Sequence, residues 1–336
     1  MSKELKSLNI IQPKYIHLAN HILENIKDGE LTLNDQLPSV NRLSKDFGYS
    51  RETVFKALNH LTEKGIVESR NRLGYFVKRT DVNHKYRVYF LLDKLTFFKE
   101  ELYYSFLDSI GDNAEVEIDF HHHHFNNFKD LILRNLNKFT HFVIITFLHE
   151  DVSEVLNLIP PEKRIIIDKK EDGLEGEYAM VYQDFQEEIY SSLIELKNKL
   201  SNYKDIVLVS QTKMYHRPYL LAGIKQFSNE FGMGFIDETT IRNDSFKKGN
   251  VYITLDAYDN DLVAVIEKAR VKEMVIGKDI GVISLNDTPV KKILEGGITV
   301  ISSDFVQMGK KAAEFVRSGQ RKHIANPYKL IIRNSL

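Results

Sequence analysis

From residue 86 onward, the sequence alternates between short continuous apolar runs and longer stretches with helical spacing of apolar residues. The runs cover residues 88–92, 142–145, 164–167, 206–209, 251–254 and 280–284. The helical stretches lie near 100–110, 127–137, 185–199, 218–231 and 261–270. Apolar runs without polar alternation are typical of strands buried on both faces of a parallel sheet, and parallel strands need helical crossovers. The pattern predicts an α/β body whose strands are divided between two doubly wound lobes.

The first 79 residues follow a different pattern, in which amphipathic helices precede a short hairpin. A helix that ends at Gly29 is followed by a second one between Ser39 and Gly48 and by a third one that begins after Ser50. Serine caps helix N-termini and glycine ends helices, and the short turn of residues 47–50 contains a glycine. This order predicts a helix-turn-helix.

Two short strands should follow the third helix. Ile66 and Val67 form the first apolar pair and residues 75–77 form the second, with the basic segment 70–74 between them. A strand pair of this kind makes a wing, so the sequence predicts a winged helix-turn-helix (α+β) at 1–79. We expect a polar linker at 80–85 and the body at 86–336.

Basic and polar side chains occupy the positions from which a winged helix would contact DNA. The head carries 13 basic and 9 acidic residues, a net +4, whereas the remainder carries −5. The start of the third helix would face base edges, and the second helix and the wing would face phosphates. Alternatively, each charge only solvates a helix or hairpin. The predicted DNA contacts are Asn41, Arg42, Ser50, Arg51, Thr53, Lys56, Arg70 and Arg72.

Composition excludes several other classes. The 336 residues are 43% hydrophobic and 28% charged, which is ordinary for a globular protein, and their number favours more than one domain. The lack of cysteine excludes disulfides, thiolate metal sites and cysteine nucleophiles. No run approaches the roughly 18 apolar residues of a membrane span, and the first residues have no apolar signal core. We therefore expect a cytoplasmic protein.

Polar and aromatic residues follow the apolar runs at the points where the strands should end. In doubly wound sheets, ligands bind beyond the carboxyl ends of the strands. Carboxylates beside aromatic faces suit a neutral polyhydroxylated ligand. An Asp or Asn at such a position can instead cap the next helix, which is our interpretation of Asp184. The ligand contacts predicted in this way are Asp93, Phe97, Phe98, His149, Asp168, Asp256 and Asn286.

Residues 37–77 closely resemble the winged helix of the GntR family. The positions in register include Pro38, Ser39, Leu43, Ser50, Arg51, Thr53, Val54, Ala57, Leu58, Leu61, Gly65 and the segment 74–77. Arg72 and Leu73 depart from the pattern, because that family commonly has glycine and a basic residue there. The resemblance implies a transcription regulator that binds DNA as a dimer.

The body resembles the LacI-type and periplasmic sugar-binding clamshell over nearly its whole length. The similarity lies in segments 165–168, 182–184, 217–223, 260–264, 281–289, 297–300 and 304–309. It implies that Asp168, Arg217 and Asn286 contact ligand and that residues 303–305 lie near a hinge strand. A GntR head on a LacI-like body is the arabinose-repressor arrangement, and segments 286–289 and 296–299 are similar to Bacteroidetes regulators of fucose use.

Together these features predict a repressor of a sugar-utilisation operon. It would be a homodimer on an inverted repeat, released by a monosaccharide such as L-fucose or L-arabinose bound between the lobes, without a cofactor, metal or catalytic residue. A solute-binding or enzymatic α/β protein with an accessory DNA-binding head is the alternative, although the sequence has no phosphate-binding glycine loop and no nucleophile elbow. A structural DNA-binding protein would leave the body without a role. The residues from His121 to His124 could suggest a metal site, but we expect them in a solvated loop.

Overall fold

The computed structural model describes residues 13–80, 86–112, 114–210, 214–242, 244–255 and 260–336. Helices that pack on one another and a β-hairpin form the head, as the sequence predicted. Its elements are α1 (Lys14–Lys27), α2 (Val40–Phe47), α3 (Arg51–Glu63), β1 (Val67–Arg70) and β2 (Gly74–Val77). The strands β1 and β2 are antiparallel, which confirms the predicted wing.

Local capping explains where the helices of the head begin and end. The Ser39 hydroxyl accepts a hydrogen bond from the backbone N–H of Arg42, at the start of α2. Gly48 ends α2 in the left-handed conformation at φ 65°, which costs glycine little. Leu18 from α1 and Leu58 from α3 are fully buried in the core of the head. The helix α3 is therefore held in the head by its packing against α1 and α2.

Strands and helices alternate through the body, as the apolar runs predicted. In chain order, its elements are β3 (Tyr86–Leu92), α4 (Phe97–Ile110), β4 (Ala114–Phe120), α5 (Phe125–Asn135), β5 (His141–Ile144), α6 (Ser153–Leu156), β6 (Arg164–Asp168), β7 (Ala179–Tyr182), α7 (Phe185–Glu195), α8 (Lys197–Leu200), β8 (Asp205–Val209), α9 (Arg217–Phe231), β9 (Gly234–Glu238), β10 (Asn250–Thr254), α10 (Asn260–Val271), β11 (Gly281–Leu285), β12 (Thr299–Ser303), α11 (Phe305–Ser318), β13 (His323–Ala325) and β14 (Tyr328–Ile331).

In the described part of the chain, the strands of the body form two sheets. The sheet of the first lobe has the order β13-β7-β6-β5-β3-β4, and that of the second lobe has the order β14-β12-β11-β10-β8-β9. The strands β8 to β12 pair in parallel, and β14 is antiparallel to β12. These sheets confirm the predicted α/β body of two lobes.

The chain passes from one lobe to the other where three strands end. After β7 it crosses at Gln183 and Asp184 into α7, which packs against α9 of the second lobe. After β12 it crosses back at Asp304 into α11, which packs against α4 of the first lobe. Asn326 and Pro327 join β13 to β14. These crossings are the only described covalent connections between the lobes.

The described chain packs as two compact units. The first holds the residues as far as Phe90 together with Gly111–Asp119 and Lys129–Phe142. The second holds Leu91–Ile110, Phe120–Phe128 and Val143–Leu336. The candidate ligand site described below lies entirely within the second unit. Residues 81–85, most of the predicted linker, lie outside the described residues, so the domain boundaries remain a prediction.

No described helix combines the length and the apolar character that a bilayer span requires.

Candidate functional site

The N-terminal turn of α3 presents polar side chains to solvent. Ser50 caps the helix by accepting a hydrogen bond from the Thr53 N–H at 3.2 Å, and the two hydroxyl oxygens are 2.9 Å apart. Arg51 is exposed in the first turn, and Lys56 is exposed one turn later, where it forms a 3.0 Å ion pair with Glu52. Exposed ion pairs of this kind contribute little to stability.

The other predicted DNA contacts differ in how firmly they are held. Asn41 and Arg42 are exposed on α2. Arg70 on the wing donates to Glu68 and to Asn34, both at 2.8 Å, and stacks 4.3 Å from the Phe76 ring. These contacts make Arg70 part of the wing's own structure.

Arg72 stands at the tip of the wing. It is exposed and has a φ of 63°, a left-handed conformation that is uncommon for residues other than glycine. The adjacent Leu73 is 61% exposed, and its carbonyl oxygen accepts a hydrogen bond from the Gln36 side chain. The tip is thus fixed at its backbone while the Arg72 side chain points to solvent.

A cavity of about 450 Å³ lies at the carboxyl ends of the strands in the second compact unit. Both lobes supply its walls. Of the ligand contacts predicted from the sequence, the cavity is lined by Asp93, Phe98, His149, Asp168 and Asn286. Its volume is in the range of small-molecule sites.

Two further predicted contacts, Phe97 and Arg217, are not part of the cavity wall. Phe97 is 44% exposed and does not line the cavity, although its ring packs edge-on against Phe98. Arg217 does not line it either, because its guanidinium is engaged by Ser210 at 2.9 Å and by Asp237. Asp256 lies outside the described residues. Asp184 caps α7 by accepting from the Glu187 N–H, as we expected from the sequence.

A buried ion pair forms one wall of the cavity. Lys99 of α4 pairs with Asp93, and their side chains are 8% and 1% exposed. His123 approaches the second carboxylate oxygen of Asp93, with 3.4 Å between Nε2 and Oδ2, and its Nδ1 is 2.8 Å from the Phe147 carbonyl oxygen. Because Asp93 is contacted from two sides, it is fixed in place before any ligand arrives.

Asp168 provides a second buried carboxylate, with φ at 75° and 2% exposure. It accepts a hydrogen bond from the Gln183 side chain. Burial raises its pKa to about 6, and the nearby Lys99 ammonium opposes that shift. Burial lowers the pKa of His216, which also lines the cavity, to about 4, so that this imidazole is neutral at neutral pH. Ionised Asp168 can therefore accept hydrogen bonds, whereas His216 adds no charge.

Several lining residues were not predicted from the sequence. Lys99 and His123 are brought to Asp93 by folding, and Gln183 is brought to Asp168. No spacing rule reveals such pairs. A search for polar residues just after apolar runs could have found Gln183, which follows β7 directly. Other lining residues outside the prediction include Met214, Tyr215, His216, Asn260 and Phe305.

We expected the histidine run in a solvated loop, but one of its four residues is buried. His121 is fully buried because its ring packs on Phe128 and its Nε2 is 3.1 Å from the Ile145 carbonyl oxygen. Burial lowers its pKa to about 4, so it is neutral. His122, His123 and His124 are exposed. The described residues contain no group of three potential metal ligands.

Comparison with protein families now identifies the head. Residues 14–77 match the model of bacterial regulatory proteins of the gntR family. They form a GntR-family winged helix-turn-helix domain. Among curated relatives, the mannosyl-D-glycerate transport/metabolism system repressor MngR of Escherichia coli is 40% identical over 91 residues, and the repressor NagR of Bacillus subtilis is 31% identical over 90. Each match covers 27% of this chain and 35% of the relative.

Solved structures match the body. A LacI family transcriptional regulator from Silicibacter pomeroyi superimposes with a TM-score of 0.62 at 15% identity. One from Enterococcus faecium with bound ribose gives a TM-score of 0.59 at 14% identity. Each match covers 74% of this chain and 98% of the solved chain. The body thus has the fold of LacI-type regulators and periplasmic binding proteins, joined in one chain to a GntR-family head.

Proposed function

We propose that this protein is a transcription regulator that binds operator DNA through its head and a small polyhydroxylated effector in its cavity. One observation carries the proposal: a GntR-family head and a LacI-type body with buried carboxylates in its cavity occur in a single chain. The relatives MngR and NagR are named repressors, and one structural neighbour holds ribose.

The DNA interface would centre on the first turn of α3. Arg51 is exposed there and would read a base edge in the major groove, while Lys56 and Asn41 would contact phosphates. Arg72 would reach a groove from the wing tip. We assign Arg70 to holding the wing, because Glu68, Asn34 and Phe76 already engage it.

The chemistry of the cavity suits a monosaccharide. Asp93 and Asp168 place buried acceptors where sugar hydroxyls can donate, and Asn286 adds an amide. The stacked rings of Phe98 and Phe305, with centroids 5.4 Å apart, give the same cavity an apolar side. L-fucose and L-arabinose are the first candidates, and the protein would repress an operon for the use of such a sugar in the cytoplasm.

Regulators that read an inverted repeat need two heads. A single winged helix covers one half-site, so we propose a homodimer on a repeated operator.

Thermal melting of the full chain with separate sugars tests the effector. L-fucose, L-arabinose, L-rhamnose and D-ribose form the panel, with a sugar phosphate and a sugar acid as charged probes. A ligand at about 100 times its Kd stabilises the native state by about 2.7 kcal/mol, which is readily measured. If no member raises Tm, the monosaccharide assignment is wrong. If a member is chemically converted by the protein, the enzymatic alternative is favoured instead.

A further inference from the structure

A continuous chain of polar contacts runs from the cavity to the crossing between the lobes. Asp168, at the end of β6, accepts from the side-chain amide of Gln183 at the first crossing. The other end of that amide contacts the hydroxyl of Ser303, at the end of β12. The Ser303 oxygen lies 3.3 Å from Oε2 of Glu188 on α7. The chain therefore links the first lobe to the second.

The three contacts of this chain need three hydrogens, but the amide and the hydroxyl can supply only two of them. Asp168 to Gln183, Gln183 to Ser303, and Ser303 to Glu188 are three described contacts between oxygen or nitrogen atoms. The Gln183 amide can donate across one contact only, since its other end is an oxygen, and the Ser303 hydroxyl carries one hydrogen. If both carboxyl groups were ionised, two oxygens would face each other with no hydrogen between them.

A proton at either end completes the chain. If the Gln183 amide donates to Asp168, then Ser303 must donate to Gln183, and Glu188 must be protonated to donate to Ser303. If the amide is rotated by 180°, its oxygen faces Asp168, which must then carry the proton. The amide nitrogen donates to Ser303, and Ser303 donates to ionised Glu188. We propose that this chain of contacts holds one proton, shared between Glu188 and Asp168, which makes the crossing between the lobes sensitive to pH.

The surroundings of Glu188 favour the proton at its end. Glu188 is 7% exposed, and its Oε1 has no hydrogen-bond partner among the described residues. Burial raises its pKa to about 7, hydrogen bonds from the Ser303 hydroxyl and the Asp184 backbone oppose that shift, and the negative charges of Asp168 and Asp184 add to it. Lys99 and Asp93 face Asp168 with opposite effects on its charge, and Lys170 pairs with Asp184 at 3.0 Å. Glu188 therefore takes the proton first, and Asp168 remains an acceptor toward the cavity.

The stability of the folded protein should record this proton. Because the folded pKa of Glu188 lies above its ordinary value of 4.5, the native state binds more protons than the unfolded state between these two pH values. The stabilisation is complete below the unfolded pKa and is lost as pH rises through about 7. Once Glu188 and Asp168 are both ionised, one of the three contacts has no hydrogen, and the crossing is weakened.

Glu188→Gln in the full chain is the principal variant, because its amide supplies the missing hydrogen at every pH. We expect the urea midpoint of the wild type to fall relative to that of E188Q as the pH rises from about 5 to about 8. Glu187→Gln, which removes the same charge from an exposed position on α7, should follow the wild type. Parallel curves for the wild type and E188Q would overturn the proposal.

Infrared spectroscopy tests directly whether Glu188 and Asp168 share a proton, and this test does not depend on how well E188Q folds. The wild type should show the C=O band of a buried protonated carboxyl near neutral pH. Asp168→Asn also supplies a third hydrogen, so this band should move to lower pH in D168N. A band that is absent from the wild type, or that titrates at the same pH in D168N, would refute a shared proton. No effector is needed, so these results are independent of the proposed function.

Discussion

At the scale of single residues, the same side chain serves different purposes according to its surroundings. Arg70 and Arg72 lie close together in the wing, yet Arg70 is engaged by Glu68, Asn34 and Phe76, whereas Arg72 is exposed. Asp93 and Asp168 are both buried acceptors, but a lysine neutralises one and an amide holds the other. The environment of each group therefore decides which residues remain available for DNA and effector.

Arg51 should be the most sensitive position in the DNA interface. We expect Arg51→Ala to cost about 1–3 kcal/mol at the natural operator and to relax the preference at one base step, because Arg contacts base edges through paired donors. Fluorescence anisotropy at fixed salt measures both effects. Unchanged affinity would exclude Arg51 from base reading.

Lys56 provides a contrasting test at the same helix. As a phosphate contact, Lys56→Ala should weaken all DNA sequences alike and reduce the salt dependence of binding by about one counterion. A titration over several salt concentrations separates this result from a loss of sequence preference, which would instead indicate a base contact.

We expect Asp168 to be needed for effector binding but not for DNA binding. Asp168→Ala removes a buried acceptor from the cavity, so we expect loss of the sugar response with nearly unchanged operator affinity in the absence of sugar. Asp172→Ala changes an exposed carboxylate nearby and serves as the control. Operator release measured against sugar concentration is the readout, and full inducibility of D168A would contradict the assignment.

At the scale of elements, the apolar runs predicted six of the eight interior strands of the two described sheets, but not the interior strands β7 and β12 and not the strands at the edges. β3, β5, β6, β8, β10 and β11 are interior strands whose apolar runs are continuous because both faces are buried. The edge strands β9, β13 and β14 are partly exposed and carry polar residues, so no such run reveals them. The polar ends of interior strands likewise revealed Asp93, Asp168 and Asn286, whereas Lys99 and His123 depend on tertiary contacts.

The packing of α11 on α4 offers an element-scale test. A Cβ added at Gly309 would lie 2.2 Å from the Leu102 carbonyl oxygen of α4. Gly309→Ala must therefore push the two helices apart, and we expect the free energy of unfolding to fall by about 1–3 kcal/mol. Gln307→Ala, at an exposed position of the same helix, should change it by less than about 0.5 kcal/mol. Urea denaturation measures the stability of both variants. If G309A were as stable as the wild type, the two helices could separate at little cost.

At the scale of the whole molecule, the proposed inverted-repeat operator determines how many copies of the chain must assemble. Because one head covers one half-site, we expect a two-fold homodimer in solution or on DNA. Light scattering at micromolar concentration, with and without an inverted repeat, measures the mass. A monomer under both conditions would be incompatible with the proposed repressor.

Effector and operator should oppose each other through the arrangement of the lobes. The cavity has walls from both lobes, so an effector favours the arrangement in which it contacts both, by the difference in its affinity for the alternatives. Half-sites lie about 34 Å apart, so a shift of a few ångströms between paired heads disfavours simultaneous docking. We expect the effector to weaken operator binding by about 1–3 kcal/mol, roughly 5- to 150-fold. Linkage requires operator DNA to weaken effector binding by the same factor. Calorimetric titration of the effector into the free protein and into the operator complex measures that factor, and equal affinities in the two titrations would show that the cavity and the head are uncoupled.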